Sequence, residues 1–200
     1  MRCGRSIWLG VAVVAIAMLG SQGALAAGDR DNDRDHDRRN RFLRASLNGS
    51  EEPPISLTEG RGRFDITIAR DEGSFDYTLS YEDIEGDVTQ AHIHVGQLRV
   101  NGGISIWLCQ TPGTPAPPSV FLITPQCPGL HEGTVRGTVT ALNVIGPAAQ
   151  GVSAGEFEEV LRALRMGVTY ANVHSTRTPT GEIRGQIKER TSGHDWWDHD

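Results

Sequence analysis

Two hundred residues, 38% of them hydrophobic, supply one core with tails rather than several domains. A net charge of −6 excludes electrostatic steering toward phosphate backbones, so no nucleic-acid partner is expected.

The chain opens "MRCGRSIWLGVAVVAIAMLGSQGALAA", with Arg2 and Arg5 ahead of an apolar run from Ile7 to Leu19 and the small-residue triplet Ala24-Leu25-Ala26. This is the tripartite pattern of a secretory signal over residues 1–27, cleaved after Ala26 or Ala27. The apolar run falls short of the roughly 20 residues a spanning helix needs, so no membrane insertion is expected after cleavage. A secreted or periplasmic location follows. Cys3 leaves with the signal, and only Cys109 and Cys127 remain. In an oxidising compartment those two pair and close the Pro-rich loop "QTPGTPAPPSVFLITPQ"; two free thiols are the alternative.

Residues 28–41, "GDRDNDRDHDRRNR", set five aspartates against five arginines and offer no apolar side chain to bury. They read as a disordered charged linker. The closing residues 191–200, with His194, Trp196, Trp197 and His199 among acids, read as a flexible tail.

From 42 to 190 the pattern is all-β. "FLRASLNGSEEPP", "GRFDITIARDEGSFDYTLSYEDI", "VTQAHIHVG", "ISIWLCQ", "EGTVRGTVTAL", "GVTYANVHS" and "GEIRGQIKE" alternate or run apolar, rich in β-branched residues, and are parted by Gly, Pro, Asn or Asp. Asp71-Glu72-Gly73 supplies a hairpin turn. Seven or eight short strands at regular spacing predict a Greek-key β-sandwich or barrel. One short amphipathic helix interrupts them near the C-terminal strands. Phe157, Val160, Leu161 and Leu164 form its stripe, Ser153 and Glu156 a capping box, and Gly167 its end.

In "QAHIHVG" the apolar residues Ala91, Ile93 and Val95 face one way, and His92 and His94 share the other. In "GVTYANVHS" the same alternation groups Tyr170, Asn172 and His174, and in the last hairpin it groups Glu182, Arg184 and Gln186. If these strands are neighbours, three histidines and a carboxylate converge. His92, His94 and His174 are then candidate metal ligands for copper or zinc, because imidazole suits both. Tyr170, Asn172, Glu182 and Arg184 are candidates either for holding an imidazole in place or for a polar network around it. The competing reading is a buried hydrogen-bonded polar network with no metal at all. His131, at a loop edge, is a weaker fourth candidate.

The motifs "FLRASLNGSEEPP", "AHIHVG" with "NGGISIWL", and "LRMGVTYANVHSTRTPTGEIRGQI" resemble, in order and spacing, the CHRD (chordin-type) domain family over roughly Phe42 to Lys188. The resemblance implies a β-sandwich-like extracellular module. Ser175 stands where the family often has Thr, and the Pro-rich insertion with its cysteines looks peculiar to this chain. Chordin's growth-factor binding does not carry over, because its Cys-rich modules do not occur in these residues. The H-x-H strand also weakly resembles copper,zinc superoxide dismutases. No G-x-S-x-G elbow, phosphate-cradling loop, dinucleotide fingerprint or legible acid/base pair is present, so no catalytic residue is assigned. The favoured expectation is a secreted, non-catalytic binding or structural module for an unknown extracellular protein or ligand. The alternative is a copper- or zinc-binding protein built on the three histidines.

Overall fold

The computed structural model describes residues 41–190. The expected signal, all but the last residue of the linker, and the tail lie outside the described residues. The chain forms β1 (Phe42–Asn48), β2 (Arg61–Ile68), β3 (Phe75–Glu82), β4 (Val88–Val95), β5 (Gly103–Cys109), β6 (Gly133–Val139), α1 (Phe157–Arg165), β7 (Thr169–Ser175), β8 (Ile183–Gln186) and the two-residue β9 (Lys188–Glu189). All pair antiparallel in one sheet of order β5-β4-β7-β8-β1-β2-β3-β6, with β9 beside β1. The end strands β5 and β6 approach each other, so the sheet is a nearly closed barrel rather than two stacked layers.

Strands β1, β2 and β3 alternate buried and exposed positions as a one-sided strand must. Leu43 and Leu47 of β1, Phe64 and Ile66 of β2, and Phe75 and Leu79 of β3 fill the barrel interior. The β2–β3 hairpin turns where expected. Glu72 takes a positive φ of 56°, and the Gly73 amide donates to Asp71 Oδ1 at 3.1 Å.

Helix α1 plugs one end of the barrel, with Phe157 stacked on Phe75 at 5.8 Å between centroids. It begins at Phe157 rather than at the expected cap, because Gly155 sits at φ +85° and breaks the helical backbone between Ser153 and Glu156. Half of the capping box survives as a turn, the Ser153 amide donating to Glu156 Oε2 at 2.6 Å. The far end meets expectation: Gly167 at φ +66° closes a Schellman motif, with Val168 N–H on the Ala163 carbonyl and Gly167 N–H on that of Leu164.

Cys109 and Cys127 form a disulfide across 18 positions. Gln110 pins the enclosed loop, donating from Nε2 to the Phe121 and Thr124 carbonyls and accepting at Oε1 from Ala116 N–H. Closing a loop of this length stabilises the fold by about 3 kcal/mol through the unfolded state. The Cys109→Ser/Cys127→Ser variant is expected to lose about that much, read from its urea midpoint. An unchanged midpoint would refute it.

Candidate functional site

Strand β7 lies between β4 and β8, and the ladder sets the site's rows. His92 stands opposite Asn172, and Asn172 opposite Arg184; His94 stands opposite Tyr170, and Tyr170 opposite Gln186. Period-2 alternation therefore gathers His92, His94, Tyr170, Asn172, His174 and Arg184 on one face. That face is not solvent-exposed. All of β7 is buried, and His92, His94 and His174 are 0%, 7% and 7% exposed. Trp107 on β5, the 96–102 loop, the β7–β8 turn and Glu52 cover it.

One ring nitrogen from each of His92, His94 and His174 lies within 4.8 Å of the others. His94 Nδ1 is 3.0 Å from the Gly102 carbonyl and His174 Nδ1 is 2.8 Å from that of Pro179. A carbonyl only accepts, so both rings carry their proton on Nδ1 and leave an Nε2 lone pair. His92 Nδ1 stands 3.3 Å from His174 Nε2. That is about the nitrogen–nitrogen edge of a tetrahedral metal site with bonds near 2 Å. The Nε2 atoms of His92 and His94 are buried and find no hydrogen-bond partner among the described residues.

Aromatic walls fix the rings. His92 meets Trp107 edge-on at 4.3 Å, and His94 lies parallel to Tyr170 at 4.7 Å. The Arg184 guanidinium sits 3.3 Å above the other side of Tyr170, its Nη2 donating to the Gln97 and Val100 carbonyls. Burial keeps all three imidazoles neutral. His92 is held well below the ordinary histidine range by desolvation and by His174 and His94; His94 is lowered to about 4 mainly by desolvation, with the Gly102 carbonyl opposing; His174 is lowered by desolvation. Neutral imidazoles are the form that binds metal.

A family model for the CHRD domain matches residues 43–187, more than half of the chain. The chain belongs to the CHRD domain family. Neither a curated protein nor a solved structure matches it.

Within this CHRD domain the structure does not bring every expected residue to the histidines. Glu182 lies apart: its carboxylate accepts from Thr58 Oγ1 (2.7 Å), Glu85 N–H (2.8 Å), Gly86 N–H (3.4 Å) and Ser175 Oγ. Strand β8 begins at Ile183, after Gly181 at φ +130°, so the alternation counted back from Arg184 stops before Glu182. His131 also stays apart, its Nδ1 on the Ile84 carbonyl and its Nε2 3.5 Å from Asp87.

Two residues enter that the sequence reading missed. Trp107 is placed opposite His92 by the β4–β5 register, and Glu52, 6% exposed, follows a short 3-10 turn. Alternation in "ISIWLC" put Trp107 on the face away from Ile106 and Leu108, a usable signal. Glu52 sits in a loop without periodicity, so only its place in the "EEPP" motif marked it. Among the described residues, no helix is long and apolar enough to cross a membrane.

Proposed function

We propose that the protein is an exported, non-catalytic binding module of the CHRD family whose ligand is a transition-metal ion, copper or zinc, held by His92, His94 and His174. The observation that carries this reading is the directed set of lone pairs. Two rings are locked by Nδ1–H bonds to backbone carbonyls, the arrangement that orients metal-binding histidines elsewhere. His92 presents its Nδ1 to His174 Nε2 at 3.3 Å, and beside them His94 Nε2 is buried without a hydrogen-bond partner; an unsatisfied buried acceptor costs about 1–3 kcal/mol unless something occupies it.

Near-complete burial favours holding an ion over turning over a substrate, since metal catalysis needs an open coordination position. Export is supported by the signal pattern of residues 1–27 and by the disulfide, which suits an oxidising compartment.

The test is the metal content and affinity of the mature chain, prepared without a histidine tag, beside a His92→Ala/His94→Ala variant. The expected result is one equivalent of copper or zinc that falls to background in a variant whose circular dichroism is unchanged. Background metal in the parent protein would refute the proposal and leave the imidazoles as a structural network.

A further inference from the structure

A dipositive ion bound by three neutral imidazoles brings its full charge into the interior, where Arg184, 1% exposed, already places a positive charge. Uncompensated buried charge is costly. Two carboxylates are buried among the described residues, Glu52 and Glu182. The Glu182 carboxylate is engaged by two hydroxyls and two backbone amides away from the histidines.

Glu52 is placed differently. Its Oε1 has no hydrogen-bond partner. Its carboxylate packs so tightly on Gly181 that a Cβ there would stand 2.3 Å from Oε1. Arg184 and Asn172 are the groups that act on it. Asn172 also acts on His94 and lies opposite His92 in the β4–β7 ladder. The geometry sets Glu52 at the edge of the histidine face: Gly181 lies two residues after Pro179, whose carbonyl holds His174, and the neighbouring Pro53 carbonyl accepts from Asn101 at 3.1 Å, next to the Gly102 carbonyl that holds His94. Burial pushes its carboxyl up to about 7, with Arg184 and Asn172 pulling it down; an added cation would favour its ionised form.

Resting on the metal-site reading above, we propose that Glu52 is the counter-charge of the centre and makes it favour dipositive over monopositive ions. The ion's attraction to Glu52 scales with the ion's own charge, so losing the carboxylate weakens the two classes unequally.

The experiment measures Zn²⁺ and Cu⁺ affinities at pH 8 by chelator competition, Cu⁺ anaerobically with ascorbate, for the mature chain and for Glu52→Gln. Zn²⁺ is expected to weaken by about ten- to a hundredfold and Cu⁺ by only about the square root of that factor. The metal-free variant should melt no lower than the parent, since a neutral amide of the same shape removes a buried charge. Equal fold-changes for the two ions, or none, would overturn the assignment of Glu52 while leaving the site intact. Failure of the parent protein to bind either ion would instead sink the site itself, and the counter-charge with it.

Discussion

Acidifying the metal-free protein from pH 7 to pH 4.5 is expected to lower its unfolding free energy, because three buried histidines with lowered pKa values outweigh one buried carboxyl with a raised one. The three histidines have folded pKa values below the unfolded 6.5. The native state therefore binds fewer protons than the unfolded chain below that pH. Their contribution is fully present above 6.5 and is lost as pH falls toward the folded values, about 4 for His94. That shift alone corresponds to about 3 kcal/mol when complete.

Glu52 has the opposite sign. Its folded value near 7 lies above the ordinary 4.5, so its contribution is present below 4.5 and lost as pH rises through 7. On acidification it offsets roughly one histidine. His92 and His174, both lowered, leave the balance negative. Urea midpoints at pH 7, 6, 5 and 4.5 read the slope, and Glu52→Gln should steepen it. A flat profile across that window would show that the imidazoles are not buried in neutral form.

Replacing Glu182 by Ala is expected to cost about 3 kcal/mol of stability without changing metal stoichiometry. The substitution strands two backbone amides, of Glu85 and Gly86, and the hydroxyls of Thr58 and Ser175 that now converge on one carboxylate. Each buried donor left unpaired costs on the order of 1 kcal/mol or more. Denaturation midpoints and bound zinc, measured on one preparation, separate the two effects. Loss of the metal in a folded Glu182→Ala protein would restore that carboxylate to the histidine site.

The contrast between Glu182 and Glu52 shows where sequence reading reached. Alternation correctly grouped His92 with His94 and Tyr170 with His174, because each set lies within one strand and the side-chain period is a local property. It reached Arg184 for the same reason. It overreached at Glu182, one residue before β8 starts, where Gly181 at φ +130° resets the direction of the chain. Burial of the whole face was not legible either. The cover comes from Gly102, Pro179 and Glu52, which lie in loops and turns whose position depends on the closed sheet rather than on their own residues. The helix starts later than the Ser153/Glu156 capping box predicts for a local reason: Gly155, between those two residues, has a positive φ that breaks the helical backbone.

The strand order has a consequence for when the site comes into being. His92 and His174 are 82 residues apart, and β7 must pair with β4 before their rings can meet. Pairings this distant in sequence form slowly, because the chain's loop entropy is lost before the contacts repay it. A chain ending before β7 would carry only the H-x-H pair. An ion held by all three imidazoles would therefore recognise the finished barrel and not its precursors, and would draw the folding equilibrium toward completion by mass action.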